Sequence, residues 1–411
     1  MEDLYIREKY LSKIRGFYHD TDLIKVITGI RRCGKSTIMK MIADELQTQG
    51  VSEKNIIFMN LDKKEYLHIR DCNQLDALIE SLTKNIPGKK YLFIDEIQNV
   101  KDFEMIINAY REEGDYSIFI TGSNSYLLSG ELATKLTGRY LTFEIFPLTF
   151  DEYLEMKKHY SFPLSNDLDI ELSNYFQEGG FPRTLFFQTL SDKRKYVSEI
   201  INEIFEKDIK KRVIIKKQET FKLVRNYLIN NYGATTSINN ILKELNKNGF
   251  VISKTTLLRY VEALIDAKLL YECDRFDMKS KRMLSGEKKY YIADFSLAFV
   301  TNPDSRINYG QALENMTFVY AKSLNYDVSV GRIGKLECDF IMKDAFLNYS
   351  YVQVSYSFLG SKETEDREYR PLEQINDNYP KYVLSMDKLL QRRNGICHEN
   401  ILQFMANKKS F

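Results

Sequence analysis

Residues 29–37 read GIRRCGKST and stand between an apolar run, LIKVIT (23–28), and a helical pattern, IMKMIADEL (38–46). Four residues of the stretch satisfy the pattern G-x-x-x-x-G-K-[ST]: Gly29, Gly34, Lys35 and Ser36. Glycines let backbone N–H groups turn inward, and the N-terminus of the next helix adds the positive end of its dipole. The stretch therefore predicts a loop that holds a phosphate chain between a strand and a helix.

The loop residues have separate expected parts in nucleotide binding. Lys35 should reach the β- and γ-phosphates, and the Ser36 hydroxyl should ligate Mg²⁺. The rest of the loop is expected to line the phosphates with its backbone: Ile30, Arg31, Arg32, Cys33 and Thr37.

Short β-rich runs alternate with helical stretches through the first third of the chain. The runs are LIKVIT (23–28), NIIFMNL (55–61), KYLFID (90–95), YSIFIT (116–121) and YLTFEI (140–145). Runs that are apolar on both faces are typical of strands buried in a parallel sheet. The alternation predicts an α/β fold with a parallel sheet, a P-loop core over residues 1–148.

A pair of acidic residues ends one of these strands, in YLFIDEIQNV (91–100). Asp95 is expected at the carboxyl end of the strand, where ligands of open α/β sheets bind, and should hold Mg²⁺ through water. Glu96 could orient or deprotonate the attacking water. One strand separates this motif from the loop strand along the chain, which resembles the additional-strand branch of P-loop ATPases. No guanine-reading N-K-x-D follows, which favours ATP.

The polar cluster that ends the next strand, TGSNS (121–125), resembles the sensor element of AAA-type ATPases. Thr121, Ser123 or Asn124 could hydrogen-bond the γ-phosphate or the attacking water, and Asn124 has the longest reach. A polar turn is the plainer alternative.

Arginine is suited to the charge that develops on a transferred phosphoryl group, because the guanidinium is planar and always charged. Arg139, in LTGRY (136–140), is therefore a candidate arginine finger. Arg31 and Arg32 are rivals for this role, and a solvated structural arginine is the alternative for each.

The remainder of the chain has a different pattern. Residues 149–218 look helical, a lid or connector with a break at EGGFP (178–182). Residues 219–305 contain two helical patterns followed by two β-rich runs, which predicts a winged helix. Residues 306–411 look like a separate α/β domain.

Positive charge is concentrated in two places of this region. The stretch KDIKKRVIIKK (207–217) holds six Lys or Arg against one Asp, and Lys254 and Arg259 lie on or near the predicted recognition helix. Both could bind DNA phosphates. Winged helices also serve as protein-docking platforms, and a charge run is most often a solvated helix face.

Five pieces together resemble a prokaryotic family of AAA-type ATPases: GIRRCGKST, FIDEIQNV, TGSNS, LTGRYLTFEIFPLTFDEYL and EGGFP. The resemblance covers nearly the whole chain. It implies a C-terminal domain similar to restriction-endonuclease-like nucleases of the PD-(D/E)xK type.

The nuclease motif departs from that family's pattern. Glu314 and Asp339 occupy two expected Mg²⁺-ligand positions, but the third position reads Gln353-Val354-Ser355. Gln353 is neutral where a carboxylate is wanted, and Ser355 cannot supply a positive charge, so the metal site would be weakened. The domain is expected to keep the fold with a degenerate site, unless a migrated lysine such as Lys335 or Lys362 rescues it.

Composition limits the remaining classes of function. There are 59 Lys and Arg against 57 Asp and Glu, a formal net charge of +2, so nucleic-acid binding must depend on local patches. The five scattered cysteines and four histidines suggest neither disulfides nor zinc, which fits a cytoplasmic protein. No apolar run reaches the length of a membrane span.

Three functional hypotheses follow. The first is an ATPase that couples hydrolysis of Mg-ATP to a task directed at DNA or protein. The second is a nucleotide-gated DNA- or protein-binding module with little turnover. The third is an active ATP-dependent nuclease, against which Gln353 and Ser355 argue. The oligomeric state is left open.

Overall fold

A computed structural model describes residues 3–122, 136, 138–211, 213–302, 306–358 and 360–411. The chain divides into two compact units, Met1–Ile145 and Phe146–Phe411. Within these described ranges, no helix combines the length and the apolar character that crossing a bilayer requires.

The first unit is built on a parallel sheet. Its strands are β1 Ile24–Thr28, β2 Ile56–Asn60, β3 Lys90–Asp95, β4 Tyr116–Thr121 and β5 Tyr140–Glu144. Its helices are α1 Glu8–Ile14, α2 Lys35–Thr48, α3 Cys72–Thr83 and α4 Phe103–Glu112. Short 3₁₀ turns are Arg15–Phe17, Glu53–Asn55, Lys64–Tyr66 and Ile97–Asn99.

The order of strands in this sheet is β2-β3-β4-β1-β5, and every pairing is parallel. Strand β4 therefore lies between β1 and β3, so the strand before the loop and the strand that ends in Asp95 are not neighbours. All residues of β1 and β4 are buried, as their apolar character on both faces predicts. The predicted α/β class with a parallel sheet is confirmed.

The second unit contains a mixed sheet with helices. Its helices are α5 Phe150–His159, α6 Leu168–Glu178, α7 Leu190–Glu203, α8 Gln218–Asn230, α9 Ile238–Lys247, α10 Lys254–Asp266, α11 Phe295–Thr301, α12 Tyr309–Ser323, α13 Lys362–Glu373 and α14 Ile401–Ala406. A 3₁₀ turn spans Pro182–Phe186, and a π-helical segment spans Ile204–Ile209. Its strands are β6 Thr235–Thr236, β7 Leu270–Asp277, β8 Arg282–Ile292, β9 Asp327–Ile333, β10 Leu336–Lys343, β11 Tyr349–Val354, β12 Lys381–Ser385, β13 Arg392–Arg393 and β14 Ile396–Asn400.

The sheet of the second unit crosses the expected domain boundary at residues 305/306. Its order is β13-β14-β12-β11-β10-β9-β7-β8-β6, and β7 pairs in parallel with β9 through Arg275 and Val330. The hairpin β7–β8 thus joins the strands that follow residue 306. The order α9, α10 and hairpin matches the pattern from which a winged helix is expected. That assignment and the four-part division of the chain stay predictions.

The EGGFP break lies where α6 ends. Gly179 has φ +75°, and a Cβ on it would lie 2.1 Å from Asp294 Oδ1. The Gly180 N–H donates to Asp294 Oδ2 at 2.5 Å, and the Ser296 N–H donates to Oδ1 at 2.9 Å. Burial raises the pKa of Asp294 to about 6, with the hydrogen bonds from Ser296 and Gly180 opposing the rise.

Candidate nucleotide-binding site

The loop after β1 has a backbone that requires glycine at its first position. Gly29 has φ +135°, and a Cβ built on it would lie 2.0 Å from the Ile145 carbonyl oxygen and 2.9 Å from Cys33 Sγ. Gly34, with φ +107°, is the N-cap of α2, which begins at Lys35. The predicted strand, glycine loop and helix are therefore present in that order.

Lys35 folds back into the loop. The residue is 9% exposed, and its Nζ donates to the carbonyl oxygens of Gly29 at 2.9 Å and Ile30 at 3.3 Å. A phosphate in the loop would offer this ammonium charged acceptors, which form stronger hydrogen bonds than neutral carbonyls. The loop is therefore chemically suited to an anion.

Arg7 supports the loop from the N-terminal segment, a contact that the sequence did not suggest. Its Nη1 donates to the Cys33 carbonyl oxygen at 3.0 Å, and its guanidinium lies 4.5 Å from the centre of the Tyr10 ring. Arg7 is 4% exposed, and Nη1 lies 3.7 Å from where a Cβ on Gly34 would be. A single arginine before a short helix carries no local signal of such a role.

Asp95 is a buried carboxylate held by the two strands that flank β3. It is 1% exposed, and its Oδ2 accepts a hydrogen bond from Asn60 Nδ2 at 2.9 Å. Its Oδ1 accepts from the Thr121 hydroxyl, which also accepts from the Glu96 N–H at 3.3 Å. Because β2, β3 and β4 run in parallel, their carboxyl ends bring these side chains together.

Thr121 is thus the one of the three sensor candidates that the structure describes, and it contacts Asp95. Ser123 and Asn124 lie outside the described residues. The role proposed for Asn124 stays a prediction.

Glu96 has a left-handed backbone, φ +60° and ψ +44°, which is uncommon for a residue with a side chain. Its Oε2 accepts a hydrogen bond from Gln98 Nε2 at 2.5 Å, and the residue is half-buried. Unfavourable backbone conformations of this kind are concentrated at functional sites. Glu96 combines this backbone conformation with a position directly after the strand end that carries Asp95.

Arg139 lies at the other edge of the sheet. It directly precedes β5, and its carbonyl oxygen accepts from the Ile24 N–H at 2.9 Å, at the start of β1. Its side chain donates to Asn108 at 3.1 Å and lies 3.7 Å from Glu112. Since the loop follows the far end of β1, roughly 16 Å of strand separates the two.

Because the strands are parallel, Arg139 lies at their amino ends and the phosphate loop at the carboxyl end of β1, and the role of Arg139 as an arginine finger stays a prediction. A finger directed at another copy stays a prediction. Arg31 and Arg32 remain in the loop itself, half-buried and exposed respectively, and Arg32 has φ +70°.

The residues present fit a magnesium ion that is shared with a nucleotide. Ser36 and Thr37 lie half-buried in the first turn of α2, and Asp95 ends β3. Hydroxyl and carboxylate oxygens are the hard ligands that Mg²⁺ prefers. In the described parts of the chain no three His, Cys, Asp or Glu residues form a metal cluster, so such an ion would depend on phosphate and water oxygens.

The second predicted site is assembled around a lysine. Glu314 on α12 accepts hydrogen bonds at Oε1 from Lys289 Nζ at 2.9 Å and from the Tyr291 hydroxyl at 2.6 Å. Asp339 Oδ2 accepts from the Val354 N–H at 2.8 Å. The structure thus brings Glu314 and Asp339 together, with Lys289 between them.

Gln353 and Ser355 are also close to this cluster. Gln353 Oε1 accepts from the Asp339 N–H at 3.2 Å, and Ser355, directly after β11, is 9% exposed. Rescue of the nuclease site by a migrated lysine stays a prediction, but one lysine does lie beside these carboxylates. It is Lys289 on β8, whereas Lys335 and Lys362 are exposed, because residues of distant strands meet only when the sheet folds.

The ionisable groups around Lys289 shift one another's pKa values. Burial raises the pKa of Asp339 well above its ordinary value, and the Glu314 charge raises it further. Burial alone would lower the pKa of Lys289, but the charges of Glu314, Asp339 and Glu337 outweigh it and raise that pKa. The cluster therefore holds Lys289 as an ammonium.

The predicted DNA-binding residues lie on separate elements of the second unit. Lys254 and Arg259 are exposed on α10. Lys210 pairs with Glu206 at 3.0 Å, and Arg212 lies outside the described residues. Sequence reasoning missed exposed cations at the tip of the hairpin β7–β8: Lys279, Lys281 and Arg282.

Comparison with known proteins agrees with the geometry of the first unit. Residues 21–154 match a family model described as an AAA domain, and residues 170–303 match a domain of unknown function (DUF8612). The solved structure of the Walker-type ATPase PABY2304 of Pyrococcus abyssi has a TM-score of 0.52 and 15% identity, covering 73% of this chain and 96% of that one. At that identity the likeness concerns the fold alone.

The loop, the acidic strand end and the family match together define an AAA-type P-loop ATPase domain. An uncharacterized protein of Haemophilus influenzae is 35% identical over 379 residues, 92% of this chain and 92% of that protein. The uncharacterized protein MJ1544 of Methanocaldococcus jannaschii is 32% identical over 331 residues, 74% of this chain and 71% of that protein. The chain belongs to the family of these proteins.

Proposed function

We propose that this protein binds Mg-ATP, hydrolyses it and uses the energy for a task directed at DNA or at a protein partner. The observation that carries the proposal is the buried Asp95 carboxylate, held by Thr121 and Asn60 at the sheet edge that also carries the Lys35 loop. A phosphate-binding loop beside an ordered carboxylate suits Mg-ATP. Membership of the AAA domain class supports ATP binding and hydrolysis.

Hydrolysis, as opposed to binding alone, depends on a group that can act on water. Glu96 follows Asp95, is half-buried and carries a carboxylate that accepts only one described side-chain bond, from Gln98 at 2.5 Å. We assign to it the orientation or deprotonation of the attacking water. Lys35 would neutralise charge on the β- and γ-phosphates, and Ser36 and Asp95 would hold Mg²⁺.

Completion of the site by a second copy is part of the proposal. Arg139 has a side chain that is 45% exposed at the amino edge of the sheet, and we assign it to the nucleotide of another molecule. If it acts as a finger in this way, turnover will rise with protein concentration. Arg139→Ala should remove that rise while leaving ATP affinity unchanged.

We propose the task that the energy of ATP hydrolysis serves from the exposed positive charges of the second unit. Exposed cations on α10 and on the hairpin tip support contact with DNA phosphates: Lys254, Arg259, Lys279, Lys281 and Arg282. If DNA binds there, affinity should fall steeply with salt, and neutralising the three hairpin cations should reduce the slope. A salt-independent interaction would favour a protein partner.

The test of the ATPase proposal uses two variants with matched controls. Lys35→Ala should abolish ATP binding, and Glu96→Gln should keep binding but lose turnover, because its shape is retained and its basicity is not. Lys54→Ala and Glu53→Gln are controls, since both residues are exposed in the 3₁₀ turn before β2, at the opposite edge of the sheet.

Binding is measured by calorimetry and turnover by phosphate release, with and without duplex DNA. Unchanged ATP affinity in a folded Lys35→Ala protein would refute the proposed loop function. Full binding with negligible turnover in the unaltered protein, at every DNA and protein concentration, would instead establish the nucleotide-gated binding module.

A further inference from the structure

The second unit contains an ion cluster whose centre is the buried ammonium of Lys289. Its Nζ lies 2.9 Å from Glu314 Oε1, 2.9 Å from Glu337 Oε1 and 4.0 Å from Asp339 Oδ1. The Lys289 side chain is 7% exposed, against 13% for Glu314, 12% for Asp339 and 31% for Glu337. We call Lys289, Glu314, Glu337 and Asp339 the lysine cluster. Two of these carboxylates are those that the nuclease resemblance assigns to a metal.

The carboxylates of the cluster have further donors that fix them around the ammonium. The Tyr291 hydroxyl donates to Glu314 Oε1 at 2.6 Å, and Arg275 Nη2 donates to the second oxygen of Glu337 at 2.8 Å. Asp339 Oδ2 accepts from the Val354 N–H at 2.8 Å. Each carboxylate thus keeps a defined orientation without a metal.

Gln353, at the third motif position, forms its hydrogen bonds with the Asp339 backbone and with Glu368. Gln353 Oε1 accepts from the Asp339 N–H at 3.2 Å, and its Nε2 donates to Glu368 Oε2 at 3.1 Å. A glutamine is required for both bonds, because a glutamate would set one carboxylate against another. The exchange of carboxylate for amide at this position therefore has a structural reason.

We propose that the Lys289 ammonium takes the place of a divalent cation in the lysine cluster, which makes the cluster a metal-independent clamp between β8, α12 and β10. A Mg²⁺ ion needs oxygens at about 2.0–2.1 Å. The ammonium already lies within hydrogen-bond distance of two of the three carboxylates, so a metal would have to displace it. The residues present do not fit the metal that the resemblance implies.

The clamp also joins two parts of the chain that the sequence analysis assigns to separate domains, residues 219–305 and 306–411. Strands β7 and β9 lie between β8 and β10 in the sheet, yet Lys289 on β8 pairs with Glu337 on β10. Helix α12 contacts both β8 and β9 and supplies Glu314. The cluster thereby fastens the hairpin to the strands that follow residue 306.

The first experiment is a Mn²⁺ titration of the unaltered, nucleotide-free protein, followed by electron paramagnetic resonance. Asp95→Asn removes any ion held at the candidate ATP site, and Asp339→Asn removes a ligand of the lysine cluster. We expect the Asp339→Asn and unaltered proteins to bind the same amount of Mn²⁺ at 1 mM. Bound Mn²⁺ that is lost in Asp339→Asn and kept in Asp95→Asn would overturn the proposal.

The second experiment replaces the ammonium. Lys289→Met leaves the carboxylates without a counter-charge and should lower Tm by about 6 °C or more, and 1 mM Mn²⁺ should restore at least half of that loss. Lys288→Met is the matched control, because Lys288 is on the same strand and pairs with Glu272 and, at 3.1 Å, with Asp274, but is 30% exposed. Its Tm should change by less than about 2 °C, with no response to Mn²⁺.

A Lys289→Met protein with unchanged Tm, or one that is destabilised yet unaffected by Mn²⁺, would contradict the proposal. If that variant does not fold, the titration of the unaltered protein decides alone. Metal-dependent DNA cleavage by the unaltered protein, lost on Asp339→Asn, would also overturn it.

Discussion

A methyl group on Gly29 would test the loop on which the proposed ATP site depends. In Gly29→Ala the new Cβ would lie 2.0 Å from the Ile145 carbonyl oxygen, far inside van der Waals contact. The backbone at this position has φ +135°, a conformation that residues with side chains rarely adopt. The backbone conformation and the steric contact with Ile145 therefore each destabilise the Gly29→Ala protein.

The size of the effect follows from these two terms. The unfavourable backbone conformation costs a residue with a side chain about 1–2 kcal/mol. The Ile145 carbonyl cannot move alone, because the Ile145 N–H donates to the Thr28 oxygen at 2.8 Å at the end of the β1–β5 pairing. Losing such a hydrogen bond costs about 1 kcal/mol. We expect a loss of about 3 kcal/mol in the free energy of unfolding of the first unit.

The control is Gly50→Ala, in which the added methyl group also meets an unfavourable backbone conformation but has no steric contact. Gly50 has φ +92° and no heavy atom within 4 Å of an added Cβ, so its loss should be about 1–2 kcal/mol. Since the chain has no Trp, urea unfolding is followed by circular dichroism, and ATP affinity by calorimetry. Gly29→Ala should bind ATP at least tenfold more weakly than Gly50→Ala. Equal stability and equal ATP affinity of the two variants would refute the reasoning.

Four further substitutions have expected outcomes. In a Mg²⁺ titration, Asp95→Asn should reduce ATP turnover at least tenfold. The neutral amide binds Mg²⁺ more weakly than the carboxylate does and has one acceptor oxygen fewer. Burial lowers the pKa of Lys25 to about 7, so the unfolded state binds more protons between pH 7 and 10 and stability rises with pH; Lys25→Met should flatten that rise in urea unfolding. Burial raises the pKa of Asp294 to about 6, so stability falls as pH rises from 4 to 6, and Asp294→Asn should remove this slope. Gln353→Glu should lower Tm by like-charge repulsion with Glu368 and create no plasmid-nicking activity.

The strands that carry the candidate ATP site could be predicted from the sequence because their signals are local. The expected runs 90–95 and 116–121 coincide with β3 and β4. The runs 23–28 and 140–145 exceed β1 and β5 by one residue at one end, and the run 55–61 exceeds β2 by one residue at each end. A glycine loop between a strand and a helix restricts the backbone whatever surrounds it. The position of Asp95 could be predicted because the end of an apolar run in the sequence marks the end of a buried strand.

Residues that act through distant contacts were missed. Arg7 supports the loop from 26 positions away, and Lys289 meets Glu314 from 25 positions away, on a different element. Neither has a neighbour in sequence that would single it out. For the same reason, the pattern LTGRY does not reveal at which edge of the sheet Arg139 lies.

The sequence by itself determined the α/β alternation, the glycine loop and the carboxylate that ends β3, because backbone restriction and buried strands are properties of consecutive residues. Only the tertiary structure decided that Thr121 and Asn60 hold Asp95, that Arg139 lies at the opposite edge, and that Lys289 neutralises Glu314. The reason is physical: strand order brings together charged side chains that are tens of residues apart in sequence, and that order is fixed only when the whole core packs.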